Sequence, residues 1–366
     1  VEPDFNLNVK GSMHEVVSQI IGRLGYVIGE MKERGKIVIP YVHGDTTTAM
    51  ASANAGFCHQ FASVHVEACI RTLTPDYTGF DLSGDVDVAA WRTYLMDRNN
   101  WKRGSMEPFP EQFNTRCAEP ATGVFLAPVE LDREFILAEG YPEDRIFVVG
   151  NSVADATHEA MERMSESKVF ERHPELASGD FVRFCIHRRE NCLSEKRFLA
   201  IFGALKMMVE EGKKVLLINM NQTKMAFERF GLMAEVEKMA EEKENFIMSD
   251  VWPEYGDVIA AMDKAAVCAT DSGSMQEEMN VMGVPCVTLR FGSDRSESAI
   301  NGGNIIAPPV DANVIKKIIE FAWDNQDLRD APKIYGENVS AKCIDAVEKI
   351  LANGEIFRSD EERLGF

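Results

Sequence analysis

The chain has 366 residues, which at the usual ~150 per domain is room for about two and a half domains. With 45% apolar and 27% charged residues and a mean hydropathy of −0.18, its composition is that of a globular protein and excludes a disordered or fibrous one. The balance of 39 Lys+Arg against 59 Asp+Glu leaves a net charge of −20, so nucleic acid and anionic membrane surfaces are excluded as partners, and an anionic ligand would need a local positive site.

In chain order, apolar residues at helical spacing (Val17, Ile20, Ile21, Leu24, Val27, Ile28, Met31) predict a helix over 14–31. A short strand over 37–42 follows, with Pro40 awkward for a central position. The capping cluster Asp45-Thr46-Thr47-Thr48 then opens a small-residue helix over 49–57. Further strands are predicted at 61–66, 146–149, 181–186, 214–218, 265–269 and 284–289, with helices at 198–211, 225–241, 255–262, 275–282 and 312–323. This alternation predicts parallel sheets covered by helices on both faces. The polar stretch 155–180 places a domain boundary near Lys168, giving an N-terminal Rossmann-like domain over 1–168 and a C-terminal one over 169–366. Two doubly wound domains with a cleft between them would bind ligand at the carboxyl ends of their strands. Residues 359–363 read as an acidic, solvated tail. No apolar run reaches the ~18 residues of a membrane span, and no basic-then-apolar leader opens the chain. The eight cysteines form no C-x-x-C pair, and several lie in apolar stretches. They read as reduced thiols of a cytoplasmic protein.

Five clusters place polar groups where an apolar segment ends or a loop begins. They are His43-Gly44-Asp45-Thr46; His65-Val66-Glu67-Ala68 with Arg71-Thr72; Pro110-Glu111-Gln112 with Asn114 and Arg116; His187-Arg188-Arg189-Glu190; and Thr270-Asp271-Ser272-Gly273-Ser274. The last joins a strand to a helix, and such a turn offers N–H groups and the positive end of the helix dipole to an anion. Gln276, Glu277 and Glu278 in its first turn would cap the helix or accept hydrogen bonds from ligand hydroxyls. It lacks both the G-x-G-x-x-G and the G-K-[ST] patterns, so neither NAD nor ATP is indicated. Asp45, Glu67 and Glu111 form a carboxylate set suited to acid/base work if burial and mutual repulsion raise their pKa values; as single residues each reads equally as a cap or an ion-pair partner. His43 and His65 lack metal-ligand spacing. The trio His187-Arg188-Arg189 supplies local positive charge, for which a diphosphate is a natural target, although alone it reads equally as a solvated basic turn.

In order and spacing these clusters resemble the UDP-N-acetylglucosamine 2-epimerases, a family of the two-domain GT-B fold. The family patterns H-G-D-T, H-V-E-A-G-L-R-T, P-E-E-x-N, G-H-R-R-E and T-D-S-G-G-x-Q-E-E have counterparts at 43–46, 65–72, 110–114, 187–190 and 270–278, and R-x-x-x-x-R-x-E appears as Arg290, Arg295 and Glu297. The resemblance implies an isomerase that interconverts UDP-GlcNAc and UDP-ManNAc by eliminating UDP and adding it back through 2-acetamidoglucal, without metal or redox cofactor, as a homodimer in polysaccharide biosynthesis. It makes Asp45, Glu67 and Glu111 the acid/base carboxylates around the sugar C2, with His187 assisting departure of the diphosphate. It assigns UDP to His43, Arg188, Ser272, Gly273, Ser274, Glu278 (on the ribose hydroxyls) and Arg295. Alternatives within reach of the same residues are a hydrolysing epimerase releasing ManNAc and UDP, a GT-B glycosyltransferase, and an inactive nucleotide-sugar-binding subunit.

Several positions depart from the pattern. Cys69 and Ser274 stand where the family has Gly, Ile70 where it has Leu, Ile186 where it has Gly, and Gln112 where it has Glu. The family's early G-T-R-P-E loop and the first strands have no counterpart, which predicts little activity for a polypeptide beginning at Val1. An insertion over 73–109, with Trp91, Tyr94, Trp101, Lys102 and Arg103, is expected to form a lid or a subunit contact.

Overall fold

A computed structural model describes residues 4–82, 86–354 and 356; the acidic tail expected at 359–363 lies outside these. The chain folds into two compact units, one of Val1–Arg71, Phe109–Ser152 and Gly336–Phe366, the other of Thr72–Pro108 and Val153–Tyr335. This division differs from a single boundary near Lys168: the crossover falls after Ser152, and two further segments, 72–108 and 336–366, leave the unit that sequence order suggests. Both are held by side chains buried in their new surroundings.

The first unit is built on a parallel four-stranded sheet in the order Tyr41–His43, Ser63–Val66, Thr122–Ala127, Ile146–Val148. The first strand starts only after Pro40, whose carbonyl accepts from Val64 N at 2.9 Å. Ala49, Ala51, Ala53 and Ala55 are buried on the helix Thr47–Cys58, whose small side chains let the helix Met13–Glu33 pack closely with it. The helix Val339–Asn353 returns to this unit and buries Val339, Cys343, Val347 and Ile350 against Val64, Val124 and Leu126. Each such aliphatic side chain contributes about 1.5–3 kcal/mol of burial energy, which fixes the last helix to the first unit rather than to the second.

The second unit carries a six-stranded parallel sheet in the order Asn304–Ile306, Cys286–Thr288, Val267–Thr270, Phe181–Cys185, Lys214–Ile218, Phe246–Ser249. Alternate residues of each strand face opposite layers. Phe181, Cys185, Leu216, Ile218, Cys268 and Cys286 form one core with Met275, Met279 and the helix Tyr255–Lys264. Helices Glu195–Glu210 and Ala312–Asp324 pack against each other and against the sheet. The single helix expected over 225–241 is two, Asn221–Arg229 and Met233–Glu242, interrupted around Gly231, a poor helix-interior residue.

The insertion belongs to the second unit. Trp91 is fully buried and donates its Nε1–H to Ile306 O at 2.8 Å; Trp101 is buried and donates to Leu95 O at 2.7 Å. A lid would need these rings mobile or exposed, and they are core instead; Tyr94 is half-buried, stacked on Trp91, and only Lys102 and Arg103 are exposed. All eight cysteines are free thiols, seven of them at least partly buried. Burial pushes the Cys192 and Cys268 thiols up to about 12. Among the described residues no helix is long and apolar enough to cross a membrane, and no cluster of His, Cys, Asp or Glu could hold a metal ion.

Candidate functional site

In the first unit two of the three carboxylates follow the carboxyl ends of adjacent strands and the third opens a helix. Asp45 follows the strand Tyr41–His43, Glu67 follows Ser63–Val66, and Glu111 opens the helix Glu111–Ala118. Glu67 sits at a left-handed φ of 59° and its Oε2 lies 3.2 Å from His43 Nε2. Gly44, at φ 71°, closes the turn between them: its N–H donates to Val66 O at 2.9 Å, and a Cβ there would lie 3.3 Å from the same Glu67 oxygen. A side chain at this position would crowd the carboxylate and strain the backbone. Asn114, buried on the helix that Glu111 starts, donates its amide to Asp45 O at 3.0 Å and lies 3.3 Å from Thr47 Oγ1. One asparagine therefore fixes the Asp45 turn to the element that carries Glu111.

Arg71 serves a different purpose. Fully buried, it donates Nε to Glu139 Oε1 at 3.0 Å, Nη1 to Glu119 Oε1 at 2.8 Å, and Nη2 to both carboxylates. This ion cluster ties the chain following Glu67 to the residues that end the helices Glu111–Ala118 and Glu130–Ala138.

In the second unit the helix Gly273–Met282 begins directly after Ser272, two residues before the expected start. Its first turn is therefore Gly273, Ser274 and Met275, and the three polar residues beyond it do not cap it. Gln276 donates to Ser272 O at 3.0 Å and accepts from Thr288 Oγ1, Ser293 Oγ and Asn304 Nδ2. Glu277 accepts from Arg295 Nε at 2.8 Å, and Glu278 accepts from the Tyr255 hydroxyl at 3.0 Å. Burial raises the Glu278 carboxyl pKa, while the Tyr255 hydroxyl and the Arg183 charge lower it.

Asp271, wholly buried, organises the neighbouring turn. Its oxygens accept from His187 N at 2.9 Å, Arg188 N at 3.0 Å and Asn191 Nδ2 at 3.0 Å, and the His187 Nδ1 lies 3.5 Å away. The Arg188 side chain comes round to the helix start. A Cβ built on Gly273 would lie 3.6 Å from Arg188 Nη2, 3.6 Å from Arg295 Cζ and 3.5 Å from Asp294 Oδ2. Asp294 is also paired with Arg290 at 2.6 Å. Burial opposes its charge, but Arg290, Arg295 and Arg188 hold its carboxyl well below the usual carboxylate range. Two guanidinium groups, those of Arg188 and Arg295, thus stand beside the first glycine of a helix N-terminus, with Arg295 also paired to Glu277 and close to Asp294.

The three carboxylates thus lie in one unit, and His187, Arg188, Ser272, Gly273, Ser274 and Arg295 lie in the other. Glu278 lies one turn further along the helix. Residues that sequence reading did not assign to a role are Asp271, Tyr255, Arg183, Asn114 and Asp294. Asp271 and Asn114 fell within recognised clusters, but nothing in the pattern distinguished a buried acceptor from a ligand contact. Arg183 is hidden by its setting: a basic residue inside an apolar strand, donating to Met275 Sδ at 3.4 Å.

A family profile described as UDP-N-acetylglucosamine 2-epimerase matches residues 103–349. The chain belongs to this family. The UDP-N-acetylglucosamine 2-epimerase of Methanocaldococcus jannaschii is 26% identical over 326 residues, covering 86% of this chain and 76% of that protein. The Bacillus subtilis protein of the same name is 26% identical over 362 residues, covering 96% and 82%. Among solved structures, the M. jannaschii UDP-GlcNAc 2-epimerase in complex with UDP-GlcNAc and UDP gives a TM-score of 0.75 at 23% identity, covering 95% of this chain and 85% of that one. The Neisseria meningitidis enzyme bound to UDP-GlcNAc gives 0.75 at 21%, covering 95% and 86%. The two Rossmann-like α/β units expected from the sequence are the fold class of these GT-B structures.

Proposed function

We propose that this member of the family is a non-hydrolysing UDP-GlcNAc 2-epimerase that interconverts UDP-GlcNAc and UDP-ManNAc. The observation that carries the reading is the convergence of Arg188 and Arg295 on Gly273 at the start of a helix, a place for a diphosphate in a chain of net charge −20. In this reading the diphosphate meets Ser272, Gly273 and Ser274 with His187 beside it, Glu278 accepts from the ribose hydroxyls, and Asp45, Glu67 and Glu111 act at the sugar with His43 against Glu67. One carboxylate removes the C2 proton. The C1–O bond breaks, the electron pair leaves with UDP, and a C1=C2 double bond forms as 2-acetamidoglucal. UDP then adds back to C1 while an acid delivers a proton to the opposite face of C2. His187 steadies the charge that develops on the departing diphosphate. No step calls for a metal or redox cofactor. The free, buried thiols fit a reducing cytoplasm, and a second copy of this chain is the proposed assembly partner. The epimer formed serves as a sugar donor for a polysaccharide.

The test is turnover of UDP-GlcNAc in D2O, using the longest native polypeptide that contains this chain. UDP-ManNAc carrying deuterium at C2 is expected. Free ManNAc and UDP as the only products would replace this reading with the hydrolysing one. Product lacking deuterium would point to chemistry that leaves C2 untouched, such as glycosyl transfer.

A further inference from the structure

The loop that brings Arg295 to the helix start is held from outside by the inserted segment. Leu73 and Ser293 exchange both backbone hydrogen bonds, Leu73 N to Ser293 O at 3.0 Å and Ser293 N to Leu73 O at 2.9 Å. The two chains run so close that a Cβ on Gly292 would lie 2.6 Å from Leu73 O and 2.6 Å from Thr74 Oγ1. Such contacts are closer than real Cβ atoms tolerate, and one is with backbone, which has no rotamer to yield. Tyr77 donates its hydroxyl to Phe291 O at 2.6 Å and sets its ring edge-on to Phe291 at 6.2 Å. Three consecutive loop residues are thus in contact with the insertion.

The insertion is itself anchored at several points among its described residues. Leu73–Pro75 pairs antiparallel with Trp101–Arg103, Trp91 is locked in the core through Ile306 O, and Arg92 donates to Gly302 O at 3.1 Å. From Ser293 the connection runs inward. Its hydroxyl donates to Gln276 Oε1 at 2.7 Å and accepts from Arg295 N at 2.9 Å, and Gln276 in turn donates to Ser272 O at 3.0 Å. The segment lies almost wholly before residue 103, where the family match begins.

We propose that the segment 72–108 is a positioning strap for the anion site: through Leu73 and Tyr77 it fixes the loop 290–295 and so sets the Arg295 guanidinium against Gly273 for a nucleoside diphosphate. The proposal rests on the reading that UDP occupies the Ser272–Ser274 turn. Leu73 and Tyr77 act through Arg295 and are positioning residues; neither is assigned a contact with ligand.

The test measures affinity for UDP by calorimetry and for uridine by ligand-observed NMR, with the unaltered chain and with Gly292→Ala and Tyr77→Phe. Gly292→Ala forces the strap from the loop and should weaken UDP about tenfold or more, as ångström-scale misplacement of a binding group does. Tyr77→Phe keeps the ring, removes one hydrogen bond and should weaken UDP roughly threefold to tenfold. Uridine, which lacks the phosphates, should bind all three alike. That separation marks positioning of the phosphate groups rather than general loosening, and Tyr77→Phe supplies it even where Gly292→Ala fails to fold. UDP affinity unchanged in Tyr77→Phe, or equal losses for UDP and uridine, would overturn the strap. Absence of UDP binding by the unaltered chain would overturn the proposed function, and the strap's ligand with it.

Discussion

The Nε2–H of His65 donates to the carbonyl oxygen of Gly44 at 2.8 Å, from a ring with no solvent exposure. This bond fixes the tautomer, leaves Nδ1 without a protein partner, and holds the turn between His43 and Asp45 from below. Burial, outweighing the Gly44 bond and the Glu67 charge, lowers the imidazole pKa to about 4.

The sign of the resulting pH dependence follows from proton counting. The unfolded chain binds a proton at His65 near its ordinary pKa of about 6.5, and the folded chain does so only near 4. Stability from this group is present above pH 6.5 and is lost as pH falls toward 4, by about 2 kcal/mol at pH 4.5. Urea unfolding of the wild type and His65→Gln at pH 7 and pH 4.5 checks this. The glutamine keeps a donor for Gly44 O but does not titrate, so the difference between the proteins should narrow by that amount at low pH. An unchanged difference would show that His65 is not the titrating group.

Glu297 works in the opposite direction. It is buried, accepts from the Tyr335 hydroxyl at 2.8 Å, and burial raises its carboxyl to about 7. Its folded pKa exceeds the unfolded value, so its contribution is complete below about 4.5 and is lost as pH rises through 7. Glu297→Gln should therefore flatten the decline in thermal midpoint between pH 5 and pH 8. A variant that declines as steeply as the wild type would refute this.

Asp271 holds the turn that carries His187 and Arg188 by three hydrogen bonds in a fully buried position. Asp271→Ala leaves those donors buried without their acceptor and should cost about 3 kcal/mol or more. UDP affinity should fall with it, because Arg188 loses its backbone anchor. Calorimetric unfolding and UDP titration of the same preparation measure both. Loss of stability with full UDP affinity would separate the turn from the nucleotide.

Arg71→Met strands Glu119, 1% exposed, without its guanidinium and should destabilise by roughly 3–5 kcal/mol. UDP affinity should be unchanged, since the nucleotide is assigned to the other unit. A loss below 1 kcal/mol by urea unfolding would mean that Arg116, 3.7 Å from Glu139, takes over.

Glu67→Gln and Glu111→Gln preserve shape and remove the base, and each should lower turnover by roughly 10²–10⁴ with little change in UDP affinity. Glu278→Ala should do the reverse, weakening UDP by roughly 1–3 kcal/mol through the lost ribose hydrogen bonds. Steady-state rates and UDP titrations of the three variants separate the two roles. Near-normal turnover in both glutamine variants would move the acid/base role elsewhere.

The sequence by itself determined the parallel α/β class, most strands of the second sheet, the strand-to-helix turn at Thr270-Asp271-Ser272, and the family. Those features are local: period-two or continuous apolar runs, caps and short motifs are visible in a window of a few residues. The strand Thr122–Ala127, central to the first sheet, escaped this reading although it too is a short, largely apolar run, because such a run without alternation is not distinguished from a buried helix segment by periodicity alone. Tertiary structure alone decided the rest. Insertion tryptophans that read as part of a lid or a subunit contact are core because Trp91 found Ile306 O, and Arg71 is structural because two glutamates distant in sequence converge on it. Asp271 is an anchor because the His187 turn closes over it, and the helix Val339–Asn353 joins the first unit because its apolar face meets Val64 and Val124. Each is a contact between residues far apart in sequence. Which buried partner a charged or apolar side chain finds depends on how sheets and helices pack, and no local pattern encodes that.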